Sequence, residues 1–143
     1  MQHTSRLVTG VLSLRLLMSL PVFAAPPGGL PPVQTQGTVT YVSGGIGQEE
    51  AQAFAAATRH YPLTLEFAVK HLPHAAFTAK VPVRITDTQG HTVLETQSDG
   101  PFLLAKLPAG YYTVTAEQHG QTLTKTIHIA PAQPAHVLFL WAT

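Results

Sequence analysis

The sequence predicts a mainly β protein: a seven-stranded β-sandwich with one helix added on its N-terminal side. Three observations predict it. Between Leu63 and Trp141, apolar and polar residues alternate in short runs, the period of a half-buried strand. Gly, Pro or Asp signals separate these runs about every eight to twelve residues, the rhythm of a sandwich. Only one stretch, about 48–60, carries helical spacing.

That helix is the first strong element. Gln48 to His60 is alanine-rich, with Glu49 and Glu50 in its first turn, where carboxylates complement the helix dipole. Ala53, Phe54, Ala57 and Tyr61 form one apolar stripe, and Pro62 ends the segment. Ahead of it, Gly37 to Val42 reads as a short strand with Val39 and Tyr41 on one face. Ser43-Gly-Gly-Ile-Gly47 joins the two.

The seven strands follow. Leu63, Leu65, Phe67 and Val69 alternate with Thr64, Glu66, Ala68 and Lys70. Val81, Val83 and Ile85 mark the second, with Pro82 suited to an edge strand or a strand start. Asp87 to Gly90 is a turn, His91 to Thr96 returns, and Gln97 to Gly100 turns again. Pro101 to Lys106 and Tyr111 to Gln118 come next, broken by Pro108-Ala-Gly110. His119-Gly120 gives a tight hairpin into Gln121 to Ile129, where Lys125 interrupts an apolar row of Leu123, Ile127 and Ile129. Pro131 to Pro134 is a loop before the last strand, His136 to Trp141.

The N-terminus reads differently. Arg6 and Arg15 precede a short apolar run, Leu16 to Ala24, that ends in Val22-Phe-Ala24, the order of a secretory signal peptide cleaved after Ala24. Arg15 and Pro21 leave it too short to span a membrane, which takes about 20 apolar residues. Residues 1–24 are thus expected to leave, 25–36 to form a Pro/Gly-rich arm, and 37–143 to form one domain. The expected location is periplasmic or secreted. Without its leader the chain carries six basic and seven acidic residues, so the basic surface that nucleic-acid binding requires is missing. It has no cysteine, so its core must hold it without disulfides.

Asp99-Gly100, Phe102, Leu104, Leu107-Pro108, Gly110, Tyr112 and Val114 resemble the pattern of carboxypeptidase regulatory-like domains, which share a transthyretin-like (prealbumin-like) sandwich. The resemblance covers about residues 80–130. Leu107-Pro-Ala-Gly110 carries one residue more than the Pro-Gly of the pattern. The resemblance implies the fold and no activity. Hydroxyisourate hydrolase shares the scaffold and ends in Tyr-Arg-Gly-Ser, whereas this chain ends Phe139-Leu-Trp-Ala-Thr143.

Candidate chemistry is sparse. His71-Leu-Pro-His74 offers two imidazoles to a metal, which normally needs a third or fourth ligand. The Ser43–Gly47 loop has the outline of a phosphate cradle but lacks the P-loop lysine. Asp99 and Glu95 are possible paired carboxylates, though Asp in Ser-Asp-Gly suits a turn. Ser43 and Ser98 lie in no nucleophile elbow. Tyr41, Tyr61, Tyr111, Tyr112 and Trp141 could together make an aromatic platform for a sugar. Tyr111, Thr113, Thr115, Thr122, Thr124 and Thr126 would share one face if their strands pair across His119-Gly120.

The sequence therefore predicts a non-enzymatic exported binding or protein-interaction module of the bacterial envelope, with no cofactor. Its partner would be a protein or glycan at the envelope and not a nucleic acid, no stable transmembrane segment would remain after cleavage, and edge strands could pair into a homodimer. The alternatives are a small-molecule hydrolase on the transthyretin-like scaffold, or a periplasmic metal-handling protein using His71 and His74.

Overall fold

The computed structural model describes residues 29–142. The expected signal peptide, 1–24, lies outside them, as does the first part of the expected arm. Ten strands form two sheets, with one helix outside the first. Two short strands, β1 (Gln34–Gln36) and β2 (Val39–Gly44), precede α1 (Gln48–Ala57). The helix tightens into a 3-10 turn over Thr58–His60. Then come β3 (Leu63–His71), β4 (His74–Phe77), β5 (Pro82–Thr86), β6 (Thr92–Gln97), β7 (Phe102–Lys106), β8 (Gly110–Gln118), β9 (Gln121–Ile129) and β10 (Ala135–Ala142).

The first sheet runs β1-β2-β7-β3-β10, with β4 beside the second half of β3. The second runs β6-β5-β8-β9. All pairings are antiparallel except β3 with β10. Leu63, Leu65, Phe67, Phe139 and Trp141 of the first sheet face Val83, Ile85, Leu94, Val114 and Ile127 of the second in the main core. Three aromatic rings, Phe67, Phe139 and Trp141, sit within 6.3 Å of one another.

The β count is larger than the sequence suggests. β4 raises the strands after the helix from seven to eight: it lies in the segment between the alternating runs, and Leu72-Pro73 folds it back onto β3. β1 lies in the expected arm; its three residues are exposed and polar, so no periodicity marks it. Pro82 opens β5, a central strand, so it begins a strand and does not mark an edge.

The open sides of the sandwich are stitched by side chains. The Gln36 amide donates to Glu95 O and accepts from Glu95 N, at 2.9 and 2.7 Å, so one side chain takes the place of a strand along β6. On the other side Lys125 Nζ donates to Leu138 O and lies 5.3 Å from the Phe139 centroid. Its intrusion into an apolar row is explained: the stem follows the core while the ammonium reaches the β10 edge. Trp141 Nε1 donates to Gln121 O at 2.9 Å.

The 107–112 segment shows why its residues are spaced as they are. Tyr112 packs into the core and its phenol donates to Pro108 O at 2.8 Å. Tyrosine bonding back across a corner is a recurring sandwich device. Gly110, at φ 154°, supplies the bend that lets the phenol reach.

Candidate functional site

The two sheets have different outer faces, and that difference locates the site. Outside the first sheet, Phe54, Ala57 and Tyr61 seal Val42, Phe102 and Leu104 in a second apolar cluster. Outside the second sheet, among the described residues, no helix or strand packs. Its four strands present Tyr111, Thr113, Thr115 and Glu117 from β8 and Thr122, Thr124, Thr126 and His128 from β9. Arg84 of β5 and Glu95 of β6 continue the face, paired at 2.9 Å.

The hairpin sets this arrangement. His119 and Gly120 have φ 49° and 74°, the two left-handed residues of a tight turn that matches strand twist. The register then pairs Thr113 with Thr126, Thr115 with Thr124, and Tyr111 with His128. Tyr111 and His128 stack at 4.3 Å, 14° from parallel, and Tyr111 is 57% exposed. A depression of about 470 Å³ lies between Arg84, Glu95, Thr115, Glu117 and Thr122. The face thus combines an aromatic plate, rows of hydroxyls and one ion pair. Hydroxyls both donate and accept, and a ring face takes apolar or sugar C–H surface.

All six residues expected to share a face do share it. His128, Arg84, Glu95 and Glu117 join them; of these only Glu95 is a sequence candidate, and as a partner of Asp99 rather than as part of this face. Counting back from the two-residue turn finds His128 opposite Tyr111; Arg84 and Glu95 come from strands whose neighbours only the fold reveals. The five-ring platform does not form: Tyr41, Tyr61, Tyr112 and Trp141 are buried, because each sits on an inward row or under the helix. Only Tyr111 of the set is on the open face.

The other candidates resolve into structure. Ser43 Oγ donates to Phe102 O and accepts from Asp99 N, each at 2.9 Å. Ser98 Oγ accepts from Val81 N at 3.0 Å. Both serines are buried, and their hydroxyls are taken up by backbone. They, and not the Asp99 carboxylate, bond the Ser-Asp-Gly turn. Glu95 pairs with Arg84 instead of Asp99. In the Gly44–Gly47 loop, Glu50 Oε1 accepts from Gly45 N at 2.7 Å, so the chain's own carboxylate takes the place a phosphate would occupy. A side chain on Gly100 would collide with the Gly44 backbone, which fixes that glycine by close approach.

His71 and His74 end adjacent strands, directly paired and exposed. Among the described residues, no group of three or more His, Cys, Asp or Glu stands close enough to hold a metal ion. Burial pushes the Tyr112 phenol up, and the Asp87 charge adds to it. No helix among the described residues is long and apolar enough to cross a membrane.

The fold and this face together describe a β-sandwich with one open sheet. No family model matches the chain, and no curated protein is similar to it.

Proposed function

We propose that this chain is an exported, non-enzymatic binding or protein-interaction module of the bacterial envelope. Its contact surface is the open face of the β6-β5-β8-β9 sheet. The observation that carries the reading is the exposed Tyr111–His128 stack beside paired threonines on that face. Ring and hydroxyl rows suit a glycan or a flat protein surface.

The scaffold is read as transthyretin-like, of the carboxypeptidase regulatory-like kind. The Asp99–Val114 pattern supports this, and so does the Tyr112 corner within it. Export is read from Arg6, Arg15 and the run to Ala24. A homodimer through edge strands belongs to the same reading. Gln36 covers part of the β6 edge and Trp141 one end of β9, so the central part of β9, unpaired by any strand among the described residues, is the edge this reading takes for pairing.

Paired photo-crosslinkers test the face. One is placed at Thr124, the other at Ala55 on the solvent side of α1, and cells are irradiated. Crosslinks to an envelope component should come from Thr124, and Tyr111→Ala should abolish them. Equal yields from Ala55 would overturn the assignment. Export is checked by mass spectrometry of the envelope fraction, expected to find an N-terminus at Ala25; an intact leader there refutes cleavage.

A further inference from the structure

A second cavity, distinct from the open face, lies at the end of the sandwich where α1 runs out. It measures about 400 Å³, within the usual range of small-molecule sites. Tyr61, Leu107 and Ile129, all buried, form its floor. Pro62 and Pro131 stand in its wall, with φ already fixed, so little freedom is lost when a ligand binds. Arg59 and His60 form its polar rim, with Arg59 the charged group, and no carboxylate lines it.

The charge is unbalanced there. Arg59 Nε donates to His60 Nε2 at 3.2 Å, which steadies the guanidinium. Among the described residues Arg59 has no carboxylate partner, whereas Arg84 has Glu95. Lys106 does not line the cavity, but its Nζ lies 5.3 Å from the centroid of the Tyr61 ring that does. Across the cavity, Ala132 follows Pro131 at φ 57°, a left-handed backbone that a residue with a Cβ adopts at a cost. Backbone strain gathers at ligand clamps.

We propose that this cavity binds a small organic carboxylate with a short apolar body. The apolar part lies on Tyr61, Leu107 and Ile129, and the carboxylate meets the free fork of Arg59. A planar guanidinium matches a carboxylate with two parallel hydrogen bonds, which a lysine cannot do. The cavity would extend the module's binding to a small molecule, independently of the threonine face.

The test uses 3-phenylpropionate and its uncharged amide, titrated into the 15N-labelled protein that lacks residues 1–24. The acid should shift the amides of Tyr61, Leu107, Ala109 and Ile129 saturably. The amide should bind at least about tenfold more weakly, the worth of a hydrogen bond to a charged group. Arg59→Gln, an exposed position, should bring the acid down to the affinity of the amide. Ala109→Trp, at the exposed rim, should block both. Each variant is first checked for an unchanged melting temperature. Absence of saturable shifts at the cavity, equal affinity for acid and amide, or full binding by either variant would overturn the proposal.

Discussion

The outer faces of the two sheets are built from the same strand chemistry and meet opposite fates. On the first, an alanine-rich helix lies across Val42, Phe102 and Leu104, and Phe54 stacks on Phe102 at 5.8 Å. Strand β7 is consequently buried on both faces, and its sequence is a continuous apolar run, Phe102-Leu-Leu-Ala105. On the second, β8 alternates, and β9 does so except where Lys125 interrupts its inward row, with Val114, Ala116 and Ile127 inside and threonines outside. The lesson is that cover, not strand propensity, separates structural surface from available surface. Threonine makes the point sharply. Thr64, under the covered side, is 1% exposed and its Oγ1 has no hydrogen-bond partner among the described residues. Thr124, on the open side, has its hydroxyl in water.

Truncating an aromatic on each face gives the largest expected contrast. Phe54→Ala removes a fully buried ring and should cost about 3–5 kcal/mol, a fall in Tm of more than about 10 °C. Tyr111→Ala removes a ring that is mostly solvated and stacks only on His128, and should cost less than about 1 kcal/mol. Urea unfolding of both variants measures this. Similar losses would mean that the helix does not seal the first sheet.

The threonines sharpen the comparison with a smaller effect, because one substitution should stabilise on the covered face and be near neutral on the open one. Thr64→Val removes a buried hydroxyl without a partner and should stabilise by about 1 kcal/mol. Thr124→Val exchanges a solvated hydroxyl for a methyl and should stay within about 0.5 kcal/mol of wild type. A destabilised Thr64→Val would show that its hydroxyl is bonded after all.

Much of this architecture is legible in the sequence, and the illegible parts share a cause. Alternation reveals Leu63–Val69, Val81–Ile85 and Tyr111–Gln118, because a half-buried strand must alternate. The helix is legible from Phe54, Ala57 and Tyr61, but not the face it covers, since its stripe matches any apolar surface. β4 is not legible because Ala75 and Ala76 carry no alternation, nor is β1, because its residues are polar and held by side chains such as Gln36. The parallel pairing of β3 with β10 depends on a separation of about 70 residues that no local pattern encodes. At the open face, Tyr111 and the threonines follow from one two-residue turn, so they could be read. Arg84 and Glu95 depend on β5 lying beside β8. The Arg59 cavity joins a helix end to two loops, and nothing in any one of them announces it.

The open sheet has no helix to hold its rim, so its turns must, and one of them makes the last test. Between β5 and β6, Asp87 accepts from the backbone N–H groups of Gln89 and His91, both at 2.9 Å. The backbone bond from His91 is the main reason its carboxyl titrates below the ordinary aspartate range; desolvation, the next largest effect, opposes it, and the Gln89 bond and the nearby His91 charge reinforce it. A carboxylate whose folded pKa is depressed binds a proton more readily unfolded than folded. Its contribution is therefore full above the ordinary aspartate range and drains away as pH falls through that range and then through the lower folded value. Asp87→Ala should accordingly melt below wild type at pH 7, and the gap should close as the pH approaches 2. A gap that stays constant with pH would mean that Asp87 holds the turn by its shape and not by its charge. The open sheet would then owe its rim to backbone geometry alone, as the hairpin at His119-Gly120 does.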